Sequence, residues 1–263
     1  MKILVLLAGV ADMRFTLHPI SLDSHAQIRE EGSSARRLLS PFDEAALEVA
    51  LKLRDANPET GIDVLLLEGP NTENLLRSVA AFLPDTLHAL DLQPAQLWNS
   101  RQSARQIATV IDQYFARHEL VLVGRELGDL DEGSIPTLLA HCLRRRQLAM
   151  TQIGQWEGER LLLMREQGTR EEWLTVDQPL LASVTNGKRN KLRHPLMKNV
   201  MAAKRMTFTR IPAPVAIMPG PRLLALETAP VVTRAGDCQW ISGDHTHQAR
   251  SLIGWLKEQG VYR

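Results

Sequence analysis

Short apolar runs recur along the chain at residues 3–7, 62–67, 120–123 and 180–184, and the first of them, Ile3-Leu4-Val5-Leu6-Leu7, has no polar interruption. A strand with one wet face would alternate apolar and polar residues. An unbroken run suits a strand covered on both faces, as in a parallel sheet. Parallel strands need long crossovers, usually helical, and helical grammar fills the gaps. Ser40-Pro41-Phe42-Asp43 places an N-cap, a first-turn proline and a capping-box acid in order. Ala46, Val49, Ala50 and Leu53 then share one helical face, and Asn57-Pro58 ends the run. Leu75, Val79 and Phe82 mark a second helix, and residues 86–92 a further strand. Ile107, Val110, Ile111 and Tyr114 mark a third helix capped by Ser100 or Ser103, and Ser134 caps a fourth through Ile135, Leu138, Leu139 and Cys142. Strands alternating with helices predict an α/β fold: a doubly wound, mainly parallel sheet with helices on both faces.

Elsewhere the texture differs. Residues 10–39 carry scattered charges (Asp12, Arg14, Arg36, Arg37) without periodicity, as a hairpin excursion or a long loop would. After Arg146 the runs 148–156, 161–165 and 171–176, with a Glu157-Gly158-Glu159 turn, predict an added antiparallel hairpin and strand. Residues 186–210 are strongly basic, and prolines at 212, 214, 219 and 221 make a linker-like passage. A final helix aligns Ala249, Leu252, Ile253 and Leu256, with Gly260 past its end. The expected organisation is a nucleotide-binding-like core over 1–185. Residues 186–263 would form a basic docking loop, an extended segment and a helix.

Composition narrows the function. With 31 Lys plus Arg against 30 acids, the net charge of +1 supplies no field for nucleic acid. Cys142 and Cys238 fit neither a disulfide framework nor a zinc spacing, and read as buried thiols. The eight histidines include no H-E-x-x-H, and His245 and His247 would share a face only in a strand, so no metal site is expected. The apolar start is too short to span a bilayer, and with no membrane span the expectation is a cytoplasmic protein. No G-x-S-x-G elbow, P-loop or G-x-G-x-x-G fingerprint is present, so no catalytic residue is assigned.

In a doubly wound sheet, ligands bind beyond the carboxyl ends of the strands. That directs attention to Ala8-Gly9-Val10-Ala11-Asp12, Glu68-Gly69-Pro70 and the segment from Gly124 to Ser134. The last precedes a helix N-terminus, which favours anions. Asp129, Asp131 and Glu132 oppose that use, since carboxylates occupy or repel the same positive end, and Pro136 withholds an amide. The basic stretch mixes Lys188, Arg189, Lys191, Arg193, Lys198, Lys204, Arg205 and Arg210 with Leu192, Leu196, Met197, Val200 and Met201. Charge with embedded apolar anchors suits a protein-docking surface more than a single-strand nucleic-acid groove, which would interleave aromatics.

In order along the chain, these pieces resemble the beta subunits of electron transfer flavoproteins. The likeness rests on Lys2-Ile3-Leu4-Val5, on Ser40-Pro41-Phe42-Asp43-Glu44-Ala45-Ala46-Leu47-Glu48 and on Gly69-Pro70 followed by Arg77. It continues through Leu120-Val121-Leu122-Val123-Gly124-Arg125 into Asp129 and Asp131, then Asn190-Lys191-Leu192-Arg193-His194 and Asn199-Val200-Met201-Ala202-Ala203-Lys204-Arg205. The resemblance implies a heterodimer in which an alpha subunit holds most of the redox-active FAD and the beta subunit supplies a wall. Phe42 would approach the flavin ring. Ser40, Gly69, Gly124, Asp129, Asp131 and Ser134 would line the nucleotide crevice. Arg193, Leu196, Met197, Asn199 and Met201 would dock a dehydrogenase or another redox protein.

The departures fall at the crevice. Leu7-Ala8-Gly9 lacks the family's basic pair after the first strand, Ser40 replaces an asparagine, and residues 129–136 lack the family's amide side chains and phosphate-loop glycine. Losing such donors around a buried dianion costs about 1.5–3 kcal/mol each. The resemblance therefore leaves AMP, a second FAD or nothing in that pocket as alternatives. Two rival readings are a stand-alone adenine-nucleotide-binding protein of the same Rossmann-like fold and a non-catalytic assembly subunit with an empty pocket.

Overall fold

The computed structural model describes residues 1–12, 14, 20–22, 28–30, 36–69, 71–131, 133–215, 221, 223–227 and 240–261. Pro70, Glu132, Pro219 and Cys238 lie outside the described residues. Two compact units divide the chain, Met1–Leu226 and Glu227–Arg263.

The first unit starts with β1 (Lys2–Leu7), followed by the short strands β2 (Val10–Ala11), β3 (Ile20–Leu22), β4 (Ile28–Glu30) and β5 (Arg37–Leu38). Then come α1 (Pro41–Ala56), β6 (Gly61–Leu67), α2 (Glu73–Ala80), β7 (Thr86–Asp91), α3 (Ser100–Tyr114), β8 (Leu120–Gly124) and α4 (Ser134–Cys142). The antiparallel runs are β9 (Arg146–Glu157), β10 (Arg160–Gln167) and β11 (Arg170–Thr175), and the unit continues with β12 (Leu180–Val184), α5 (Met197–Ala203) and β13 (Thr209–Pro212). The main sheet has the order β11-β10-β9-β12-β8-β1-β6-β7-β13. From β9 to β13 its neighbours pair in parallel, and β10 and β11 extend one edge antiparallel, as the sequence suggests. Among the described residues of 10–39, β2 pairs with β5 and β3 with β4, each antiparallel.

Alternation along β1 explains its unbroken apolar run. Ile3, Val5 and Leu7 pack into the layer of α1 and α2, while Leu4 and Leu6 pack into the layer of α3 and α4. Both faces are dry, at about 2 kcal/mol per buried aliphatic side chain. In chain order the sheet grows from β1 to β6 and β7, then returns to place β8 on the other side of β1. Between β1 and β8 lies the topological switch point, where the loops leaving two adjacent strands diverge and open a crevice.

Several local expectations are corrected. The α3 cap is Asn99, whose side chain accepts from the Gln102 N–H, and not Ser100 or Ser103. Ser103 instead donates to the Gln96 carbonyl at the end of a preceding 3-10 turn. Tyr114 is exposed, and Phe82 falls just beyond α2. Cys142, expected to be buried, is only half-buried. Ser134 is the first residue of α4 rather than its cap, which is Gly133. The passage expected to be extended linker begins with a paired strand, since β13 lies parallel to β7.

The second unit consists, in its described part, of α6 (His245–Glu258) and flanking residues, with Asp244 as N-cap accepting from the His247 N–H. The helix and Gly260 stand where the sequence places them, and no side chain of α6 is buried.

Candidate functional site

At the switch point, three carboxylates organise the loops that leave β1 and β8. Asp43 belongs to the α1 capping box: its N–H donates to Ser40 Oγ (2.9 Å), and its own Oδ2 accepts from the Ser40 N–H (3.1 Å). The same oxygen accepts from the Gly9 N–H (3.0 Å), which ties the turn after β1 to the start of α1. Gly9 has φ +68, and a Cβ there would meet Leu75 Cδ2 at 2.5 Å. The positive φ favours glycine, and a Cβ would also press on the Leu38 carbonyl at 3.0 Å. Asp43 is fully buried. Desolvation pushes its carboxyl up to about 6, against the opposing pull of the N–H groups of Ser40, Gly9 and Ala8 and the Ser40 side chain.

Asp129 reaches across from the β8 loop. It accepts from the Ala11 N–H (3.0 Å) and pairs with Arg37 Nη2 (2.9 Å), which also donates to the Gly9 carbonyl (3.1 Å). The Arg37 side chain is 1% exposed and that of Asp129 34%, so the pair stands at the inner edge of the crevice. Asp131 closes the N-terminus of α4. Its Oδ1 accepts from the N–H groups of Gly133 (3.1 Å), Ser134 (2.9 Å) and Ile135 (3.1 Å) and from Ser134 Oγ (3.1 Å). Its Oδ2 accepts from the Leu127 N–H (3.1 Å).

Phe42 follows the helix cap and is half-buried at the same end of the sheet. Gly124 lies beneath it: a Cβ on Gly124 would sit 2.8 Å from Phe42 Cβ and 3.0 Å from the Glu126 carbonyl. The next residue, Arg125, holds its guanidinium 4.8 Å from the Phe42 ring centroid and pairs with Glu126. This is an aromatic surface with a cation on it.

Of the sequence-derived crevice set, Ser40, Phe42, Gly124, Asp129, Asp131 and Ser134 are thus distributed around the ends of β1 and β8. Gly69 lies at the end of β6, where its N–H donates to Thr72 Oγ1 (2.8 Å) and a Cβ would crowd Pro94. Sequence reasoning did not assign Arg37 or Arg125 to the site, and treated Asp43 only as a helix cap. Arg37 sits in a stretch with no periodicity to mark it.

The basic stretch builds a second surface. Asn190 is buried and donates through Nδ2 to the Gln152 carbonyl, and Lys52 Nζ donates to the Arg189 carbonyl. Arg193 is held on α1 by Glu48 (Nη2 to Oε1, 2.9 Å) and by Asp55, so its charge serves to pin the segment. This bond network holds Arg193 well above the ordinary guanidinium range, chiefly through the hydrogen bond to Glu48. In α5, Ala203 packs with Ala80 at the end of α2 and with the following Ala81, with Val200 and Phe208 beside them. The opposite face presents Met197 (74% exposed) and Met201 (53%), one turn apart, with Leu196 (61%) at the helix start. Asn199 is half-buried, its N–H donating to the Leu196 carbonyl.

A doubly wound, mainly parallel sheet with a crevice at its switch point defines an α/β chain of the nucleotide-fold class. The model of the Electron transfer flavoprotein domain matches residues 32–216. Similar proteins include the Electron transfer flavoprotein subunit beta of Mycobacterium bovis, 28% identical over 67% of this chain and 67% of the relative. The same subunit of Megasphaera elsdenii is 24% identical over 81% of this chain and 78% of that protein. The Caffeyl-CoA reductase-Etf complex subunit CarD of Acetobacterium woodii is 25% identical over 85% and 87%. The chain belongs to the electron transfer flavoprotein family, as one of its beta subunits. Members of this family are flavoprotein electron carriers. Among the described residues no helix is long and apolar enough to cross a membrane, and no group of three metal-ligating side chains is present.

Proposed function

We propose that this chain is one half of a heterodimeric shuttle that accepts electrons from a dehydrogenase through FAD held mainly by an alpha subunit. The observation that carries the reading is the Phe42–Arg125 wall, half-open to solvent and seated on Gly124 at the carboxyl ends of the strands. An isoalloxazine ring offers a flat, electron-poor face for an aromatic side chain, and a nearby guanidinium stabilises the negative charge that accumulates on a reduced flavin. The residues present therefore fit a flavin edge contributed by a partner. No group of this chain is needed to make or break a covalent bond; its task is to position the ring and shield it from water.

Docking of the redox partner is assigned to the outer face of α5. Leu196, Met197 and Met201 supply adaptable apolar contact, and lysines and arginines around them steer an acidic partner. Beside α5 an apolar groove of about 670 Å³ runs between α2 and residues 191–195, lined by Leu75, Phe82, Leu192 and Val200. The test of the flavin assignment is Phe42→Ala in the co-expressed heterodimer. The pair is expected to assemble with a shifted flavin absorption band and faster flavin loss on desalting. An unchanged spectrum and unchanged retention would contradict the assignment.

A further inference from the structure

The crevice between β1 and β8 is where a doubly wound sheet receives a phosphate, and family resemblance points to AMP or a second FAD there. The usual equipment is present in kind: the N–H groups at the start of α4, the turn after β1 and an arginine. The N–H groups of Leu127, Gly133, Ser134, Ile135, Gly9 and Ala11 and the Nη2 of Arg37 are engaged within the chain. Asp131 takes the N–H groups of Leu127, Gly133, Ser134 and Ile135 and the Ser134 hydroxyl, and Pro136, next in the first turn, has no N–H to offer. The turn after β1 donates from Gly9 to Asp43 and from Ala11 to Asp129, and Arg37 bridges Asp129 to the Gly9 carbonyl.

We infer that this crevice rejects nucleotide phosphates, because the Asp131 carboxylate already occupies the anion position at the start of α4. A phosphate could reach those N–H groups only by displacing a carboxylate that is 4% exposed and leaving it without partners. Such a buried, unsatisfied charge is strongly disfavoured. Asp129, two residues earlier in the same loop, adds a second carboxylate, held against Arg37 and the Ala11 N–H. The cluster acts as an internal counterpart of the missing ligand: it holds the β1 and β8 loops together, as a bound phosphate would, and keeps the crevice in shape without one.

Co-expressed heterodimer, purified and denatured, is analysed by mass spectrometry for released AMP and FAD, and the intact complex is titrated calorimetrically with AMP. The expected result is FAD equal to the amount of complex, no AMP, and no saturable AMP heat below about millimolar concentration. Asp131→Asn removes the charge while keeping one acceptor, and is expected to raise AMP affinity at least about tenfold. AMP in amounts matching the complex, or FAD at twice that amount, would overturn the inference. So would a folded Asp131→Asn protein whose AMP affinity equals that of the parent. A pair that never forms or stays colourless contradicts the proposed function; nucleotide in a correctly coloured complex contradicts this inference alone.

Discussion

Asp43 is buried where the turn after β1 meets the cap of α1, and its raised pKa makes stability depend on pH in a defined direction. Burial lifts the carboxyl from its ordinary 3.8 to about 6. The folded state therefore holds this proton more tightly than the unfolded chain does. The resulting stabilisation is complete below the unfolded value and is lost as pH rises through about 6. Between its limits it amounts to about 3 kcal/mol, and between about pH 5 and pH 7.5 to about 1.4 kcal/mol. Glu44, also raised by desolvation, and Asp63, lowered on balance by His118 and Thr86 although burial opposes them, titrate in the same experiments. A difference measurement isolates Asp43. Urea unfolding of the parent and of Asp43→Asn is followed across that range, and the stability gap between the two proteins should be larger at the acid end by the stated amount. Asn carries no titrating proton and keeps one acceptor for the Gly9 and Ser40 amides. Parallel pH profiles for the two proteins would refute the assignment of a buried, protonation-sensitive carboxyl.

Three further outcomes follow from the contacts. Gly124→Ala places a Cβ against Phe42 Cβ and the Glu126 carbonyl, and should cost about 1–3 kcal/mol in denaturant unfolding while disturbing flavin retention. A loss under about 0.5 kcal/mol would contradict the close packing. Arg193→Ala leaves the buried Glu48 carboxylate with the residue 193 N–H but without its guanidinium and should destabilise by about 1–3 kcal/mol; an unaltered urea midpoint would place Arg193 outside the framework. Met197→Glu, on the exposed face of α5, should raise the KM for the redox partner about tenfold or more, roughly 1.4 kcal/mol, with stability unchanged. An unaffected KM would move docking elsewhere.

The parts legible in the sequence are those where local chemistry and tertiary need coincide. Residues 3–7 declare a buried strand because both faces of β1 are covered, and Ser40-Pro41-Phe42-Asp43 declares a helix start because the capping box is formed as written. Strand β13 escaped notice because Thr209-Arg210-Ile211-Pro212 offers one buried side chain, Ile211, and its pairing with β7 is set by the sheet edge. The α3 cap reads in the sequence as Ser100 or Ser103, which passes over Asn99, an equally competent capper; the preceding 3-10 turn decides in favour of Asn99. At α4 the acids were recognised as opposing an anion. The distance over which Asp131 gathers amides from Leu127 to Ile135 follows from loop geometry, which spacing alone does not encode. Arg37 is the furthest from view, since its partners Gly9 and Asp129 are remote in sequence.

Co-purification is the most direct measurement of the central claim. The tagged chain, produced together with an electron transfer flavoprotein alpha subunit, should elute as a yellow two-chain complex whose FAD is reduced by a dehydrogenase and reoxidised by an acceptor. A colourless chain that elutes alone, and takes up no flavin when the alpha subunit is supplied, would contradict it.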